Sequence, residues 1–170
     1  DLPYASLNNV VLAEAAAAFE DLTLTGRDDE LGWQDDAAWP NLFRAAHLLS
    51  AVDHVQLDRL RTRVMQALDA LFAEIDVLVG PPFAGPMLIA SNFTGHPCLH
   101  LRAGFTEEKT RAGGTLSVGG NKAPGAAKGK FRVPHGVSLW SGLYREDRLL
   151  EVGQALEKAL GVAAERPKGY

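Results

Sequence analysis

The segment Asp76–Val79 carries three consecutive apolar residues and is followed at once by a Gly-Pro-Pro sequence at positions 80–82. A short unbroken apolar run that ends in turn residues is typical of a strand buried on both faces. Such strands lie inside the sheets of α/β proteins, where helices cover them. Two further strands are predicted, at Cys98–Leu101, which is ended by Gly104, and at Val133–Trp140. The sequence therefore predicts an α/β fold.

Helices are predicted before and after these strands. Residues 6–20 are rich in alanine and other helix formers, and Ser6 stands where an N-cap is expected. Pro40 opens the longest periodic segment, which runs to about Ile75. Its length predicts either a bend near Ser50 to His54 or a long helix across a sheet, with a coiled coil as the alternative. Its expected inward residues are Leu49, Val52, Leu57, Leu60, Val64, Leu68, Leu71 and Ile75.

The last predicted helix, Glu146–Leu160, is amphipathic and is followed by Gly161, a residue typical of helix ends. Its expected inward residues are Leu149, Leu150, Val152, Leu156 and Leu160. Two segments are predicted to be loops. Residues 21–39 are polar and are expected to be held down by Trp33 and Trp39, and residues 106–130 are rich in Gly, Lys, Ala and Thr and are expected to be flexible.

Composition limits the class of protein. A chain of 170 residues that is 46% hydrophobic has the size and the apolar content of one ordinary domain. A net charge of -4 argues against direct binding of nucleic acid, which needs a positive field. The longest apolar runs fall short of the ~20 residues that cross a bilayer, and no signal peptide or membrane contact is expected. The single cysteine, Cys98, excludes an internal disulfide and favours the cytoplasm.

His96, Cys98 and His100 alternate along a predicted strand. A period of two would place their side chains on one face, where nitrogen and sulfur ligands could hold zinc. A fourth ligand is not evident, and Pro97 interrupts the start of the strand. Polar or half-buried groups beside a tight turn are therefore the preferred interpretation, and neither a metal nor a cofactor is expected.

Other chemical motifs are incomplete. The glycine-rich residues 113–122 lack the Gly-Lys-Ser/Thr order of a phosphate-binding loop. Ser91, His135 and Asp147 are available for a triad, but no serine lies in a Gly-x-Ser-x-Gly context. Cys98 could act as a nucleophile with a neighbouring histidine as base only if its thiol were exposed and its pKa depressed. A buried cysteine on a strand is the preferred interpretation.

Four segments occur in an order that resembles the C-terminal portion of the amidase-signature family, in particular the amidases similar to amidotransferase A subunits. They are Asp76–Pro81, Asn92–Pro97 with its Asn-x-Thr-Gly-x-Pro pattern leading to Gly104, Pro134–Leu139 with Pro-x-Gly-Val-x-Leu, and Glu146–Leu150. The resemblance covers roughly residues 7–167. It implies a mixed β-sheet wrapped by α-helices, and hydrolysis of carbon–nitrogen amide bonds.

Enzymes of this family use a lysine and two serines from a glycine- and serine-rich region, and nothing in this chain matches that region. The resemblance therefore assigns no catalytic residue here and implies that the chain alone is inactive. Its expected partners are the missing N-terminal amidase portion and a small-molecule amide substrate, and a homo-oligomer is compatible with it. The alternatives are the A subunit of a tRNA-dependent amidotransferase and a non-catalytic α/β domain that binds a partner.

The resemblance also indicates four candidate substrate-binding residues. Gly95 and Pro97 match the family's turn before a core strand, where glycine permits a positive φ and proline fixes the entry of the strand. Phe83 and Arg44 are the other two candidates, because loops at strand ends are where α/β sheets bind ligands.

Overall fold

The structure, a computed structural model, describes residues 2–82, 85–109 and 130–166. It has a mixed α and β architecture in which the described strands form one small sheet, so the predicted α/β class is confirmed. The described residues divide into two compact units, 2–61 and 62–82 with 85–109 and 130–166. The division falls within one long helix.

The first unit is helical. A 3-10 turn at Tyr4–Leu7 leads into helix α1 (Asn8–Ala18). The remaining elements are α2 (Glu20–Leu24), a second 3-10 turn at Arg27–Glu30, and α3 (Trp39–Ala46). Ser6 lies inside the first turn and makes no capping hydrogen bond, so its predicted role is wrong. The segment predicted to be a loop at 21–39 contains α2 and the second 3-10 turn.

Helices α1 and α3 pack on each other around Phe43, which is buried. The ring of Phe19 stacks on Phe43 with 5.2 Å between centroids, and the ring of Trp39 lies 5.6 Å from it. Trp39 is nevertheless 44% exposed, so it is a weaker anchor than the sequence predicted. Leu7 is fully buried and contributes to the core of the unit, because burial of apolar side chains is the main favourable term in folding.

Helix α4 spans Ala51–Phe72 and is separate from α3. Ser50 explains the break, since its Oγ accepts a hydrogen bond from the backbone N–H of Asp53 at 3.0 Å and caps the new helix. The expected bend near Ser50 to His54 is therefore a full interruption just before Ala51. On α4 the buried predicted core positions are Leu57, Val64 and Leu68. Val52 is 69% exposed and Leu71 is 38% exposed, so their predicted burial is wrong.

The second unit contains strands β1 (Leu78–Gly80), β2 (Cys98–Lys109) and β3 (Lys130–Trp140) in the order β1-β3-β2. Both pairings are antiparallel, so the sheet of the described residues is not mixed as expected. Strand β1 lies at an edge, and Val79 is 53% exposed. The prediction of a strand buried on both faces is wrong here because β1 pairs on one side only and its outward residue has no cover.

Strands β2 and β3 pair along their whole length, from Cys98 opposite Trp140 to Lys109 opposite Lys130, with a register shift between Arg102 and Gly104. The predicted flexible loop at 106–130 therefore begins too early, because residues 106–109 belong to β2 and residue 130 belongs to β3. The rest of that loop, including the glycine-rich residues 113–122, lies outside the described residues.

Two helices complete the second unit, α5 (Gly85–Thr94) and α6 (Glu146–Leu160). The predicted bounds of α6 are confirmed, and Gly161 ends it with a φ of 68°. Helix α6 packs on β2 at Gly153, where a Cβ atom would collide with the side chain of Leu99. Leu149 is buried against the sheet, whereas Leu150 is 52% exposed and its predicted inward position is wrong. No helix in the described part of the chain is long and apolar enough to span a membrane.

Candidate functional site

The turn between α5 and β2, residues 94–97, carries two of the four predicted site residues. Gly95 has a φ of 80°, which confirms the prediction that glycine is needed there for a left-handed backbone. Its N–H donates to the carbonyl of Ser91 at 3.0 Å, which closes the end of α5. The carbonyl of Pro97 accepts a hydrogen bond from the N–H of Ser141 at 3.4 Å. The turn is thus tied to the preceding helix and to the residue that follows β3.

His96, between these two residues, is buried, and its ring stacks on Phe72 of α4 with 5.6 Å between centroids. Its Nδ1 atom lies 2.7 Å from Oγ1 of Thr94, and its Nε2 atom lies 3.9 Å from a carboxylate oxygen of Asp69, too far for a hydrogen bond. Burial lowers the pKa of the His96 imidazole, and the nearby Asp69 carboxylate opposes that shift. The neutral form of His96 is therefore favoured.

A second group of polar side chains, Cys98, His100 and Ser138, lies on the face of the sheet opposite α6. Cys98 and His100 are separated by the period of two, and Ser138 is the cross-strand partner of His100. Sγ of Cys98 lies 3.6 Å from Nε2 of His100, and Nδ1 of His100 lies 2.7 Å from Oγ of Ser138. Ser138 is fully buried, whereas Cys98 and His100 are exposed. The preferred interpretation of Cys98 as a buried cysteine is therefore wrong.

The order thiol, imidazole, hydroxyl is the arrangement in which a base can accept a proton from a nucleophile while a third group orients the base. Its chemistry is limited by the thiol, because partial burial of the sulfur raises the pKa of Cys98. A raised pKa leaves little thiolate at neutral pH, and the thiolate is the reactive form. The Cys98 thiol is exposed, but its pKa is not depressed. Cys98 is therefore a poor nucleophile.

The positions of His96, Cys98 and His100 do not fit a zinc site formed by these three residues. His96 precedes β2, is buried and directs Nδ1 at Thr94, while Cys98 and His100 lie exposed on the sheet. The period of two fails at His96 because Pro97 separates it from the strand. Among residues 2–82, 85–109 and 130–166 no three His, Cys, Asp or Glu side chains are placed to hold a metal ion.

Arg44 lies on α3 in the first unit, where its guanidinium is engaged within the chain. Its Nε atom lies 2.7 Å from the carboxylate of Asp28, which is 3% exposed, and its Nη2 atom lies 2.6 Å from Asp29. Nη1 donates to Oδ1 of Asn41 at 2.8 Å. Charge-assisted contacts of this kind fix a side chain. Arg44 therefore holds the Arg27–Glu30 turn against α3.

Of the other predicted residues, Phe83 lies outside the described residues, and Gly95 and Pro97 belong to the second unit. Two of the triad candidates have other partners: Oγ of Ser91 donates to the carbonyl of Met87 at 2.7 Å, and His135 pairs with Glu108 at 2.6 Å.

The sequence pattern gives no signal for three residues that lie beside predicted ones. They are Asp28 beside Arg44, Asp69 beside His96 and Ser138 beside His100. Asp69 lies next to the buried residue Leu68 on α4, but its own side chain is largely exposed. Ser138 lies 38 residues after His100 along the chain. Pairing across that separation depends on strand register, which the pattern of apolar residues did not specify.

Comparison of the chain with family models, with curated proteins and with solved structures finds no match.

Proposed function

We propose that this chain is the C-terminal portion of an amidase-signature hydrolase that acts on carbon–nitrogen amide bonds. In this proposal the catalytic lysine and serines lie in a portion outside the chain, which is its main partner, and the enzyme is cytoplasmic. The chain would contribute strands and helices of the C-terminal part of the amidase-signature fold, and the turn at Gly95 and Pro97 would form part of the wall of the amide-binding pocket.

The observation that carries the proposal is the physical role of the glycines in the resembling segments. Gly95 has a φ of 80°. A Cβ atom on Gly136 would lie 2.9 Å from the carbonyl oxygen of Leu101, and one on Gly80 would lie 3.3 Å from the ring of Trp140. Gly80, Gly95 and Gly136 therefore stand where a side chain would be strained or crowded, whereas Gly104, which follows the second pattern, has open space around it. Backbone roles of this kind at Gly80, Gly95 and Gly136 support the proposal.

The proposal is tested by the reading frame upstream of Asp1. It is expected to continue and to encode a lysine followed by a glycine- and serine-rich segment. The extended protein is then assayed for ammonia release from simple carboxamides, with an alanine variant of its catalytic serine as the control. The isolated chain should release none. Turnover by the isolated chain, or an upstream frame without such a segment, would argue against the proposal.

A second candidate is a non-catalytic domain that binds a partner protein. It is favoured by apolar side chains exposed around the start of α4, where Leu48 is 87%, Val52 is 69% and Val55 is 51% exposed. Val52 and Val55, three residues apart, lie along one side of α4, and Leu48 lies in the turn just before it. A monomeric isolated chain with one cooperative unfolding transition would support this candidate, because a severed portion of a larger fold is expected to aggregate through its uncovered surface.

A further inference from the structure

The proton on the neutral His96 ring can be placed from the contacts of Thr94. The hydroxyl of Thr94 has one hydrogen, and its Oγ1 atom lies 2.7 Å from the carbonyl oxygen of Ala90, which can only accept. Thr94 therefore donates to Ala90. The 2.7 Å contact between Oγ1 and Nδ1 of His96 must then be a hydrogen bond donated by Nδ1–H. The neutral ring thus carries its proton on Nδ1, and Nε2 is a bare acceptor.

The bare Nε2 atom lies in a setting that does not accept charge easily. The His96 side chain is fully buried against Phe72, and Nε2 has no hydrogen-bond partner among the described residues. Asp69 on α4 is the charged group that acts on it, at 3.9 Å, and its carboxylate is 61% exposed. Thr94 on α5 and Phe72 on α4, which contact the ring, are not titratable.

We propose that His96 is a pH-sensitive contact, which in its neutral form holds residues 94–97 between α4 and α5 and on protonation at Nε2 loosens that turn. A protonated ring would place a cation in a buried setting. The Asp69 carboxylate offsets only part of that cost, because it is hydrated and its field is screened. The inference rests on these contacts alone and holds whether or not the chain belongs to an amidase.

The direction of the pH effect follows from the folded and unfolded pKa values. The His96 pKa in the folded protein is lowered from the value of about 6.5 that histidine has in an unfolded chain. Protons therefore bind the unfolded or opened state better. The stability of the turn is complete above about pH 6.5 and is lost as pH falls through the folded pKa of His96.

The test is a titration of the 170-residue chain followed by NMR. The ¹⁵N shifts of the His96 ring are expected to show Nδ1–H at pH 7.5 and a midpoint below about 6.5, the value of histidine in an unfolded chain. Two amides report the turn, Gly95 N–H bonded to Ser91 and Ser141 N–H bonded to Pro97. Their hydrogen exchange, corrected for intrinsic rates, should accelerate severalfold between pH 7.5 and pH 5 relative to the Leu149 amide in α6.

Three variants sharpen the test. His96→Gln should remove the acid-dependent acceleration, and His54→Gln should leave it unchanged. Asp69→Asn should lower the His96 midpoint further and enlarge the acid loss, because the one opposing charge is gone. An Nε2–H tautomer, a His96 midpoint at or above about 6.5, or the same acid response in His96→Gln would overturn the proposal. If His96→Gln does not fold, the His96 midpoint and the exchange of the two turn amides, measured in the unchanged chain and in Asp69→Asn, still test the proposal.

Discussion

Replacing Gly136 by alanine is expected to destabilise the pairing of β2 with β3. Gly136 lies opposite Arg102 in the central strand. A Cβ atom there would lie 2.9 Å from the carbonyl oxygen of Leu101. That oxygen belongs to the backbone of the neighbouring strand, so no rotation of a side chain can relieve the contact.

The size of the effect follows from this distance. Carbon–oxygen contacts between neighbouring strands are normally about 3.3–3.6 Å, so the new methyl group would be about 0.5 Å too close. Overpacking of this kind costs about 1–3 kcal/mol, and the lower entropy of the unfolded alanine chain returns about 0.4–1 kcal/mol. The expected net loss is about 1–2 kcal/mol, which lowers the urea midpoint by about 1 M for an m value near 1.5 kcal/mol/M.

Urea unfolding followed by far-UV circular dichroism measures this loss. Gly104→Ala is the matched control, because Gly104 lies in the paired strand, has no positive φ and has open space where a Cβ would lie. It should be neutral or slightly stabilising. If Gly136→Ala has the same midpoint as Gly104→Ala, the inferred close approach of the two strands is incorrect.

The remaining predictions concern three other places in the chain. Arg44→Met should cost about 1–3 kcal/mol, because Asp28 is left as a buried carboxylate, and adding Asp28→Asn should recover part of the loss in the same unfolding assay. Ser50→Ala should cost about 1 kcal/mol by removing the cap of α4, whereas Ser6→Ala, at a serine that makes no cap, should cost less than half as much. The Cys98 thiol should react with a disulfide reagent at pH 7 more slowly than a free cysteine and should gain rate above pH 8.5, since its pKa is raised; a reaction faster than that of free cysteine at pH 7 would contradict the raised pKa.

Much of the local structure was predictable from the sequence. The bounds of α6 and its glycine stop follow from amphipathic periodicity and from the αL preference of Gly161. The positive φ of Gly95 agrees with the turn that the resemblance implies before a core strand. A bend near Ser50 to His54 was one of the alternatives for the periodic segment, and the structure shows that Ser50 caps α4 there. These features depend on neighbours within a few residues, and a sequence pattern carries that information.

Contacts across long separations were not predictable in the same way. His96 shares its spacing along the chain with Cys98 and His100, but Pro97 separates it from the strand and burial determines its chemistry. The pairing of His100 with Ser138 depends on the register of two strands, and a shift of one residue would place Ser138 on the other face.

By itself the sequence determined the bounds of α6, the need for a glycine at the Gly95 turn, and the mixture of helices with strands. Those outcomes rest on backbone conformation and on short-range periodicity. Only the tertiary structure decided that β1 is an edge strand, that Cys98 is exposed with a raised pKa, and that Asp69 faces a buried histidine. Burial and electrostatic environment are created by residues that are distant along the chain, so they exist only once the chain has folded.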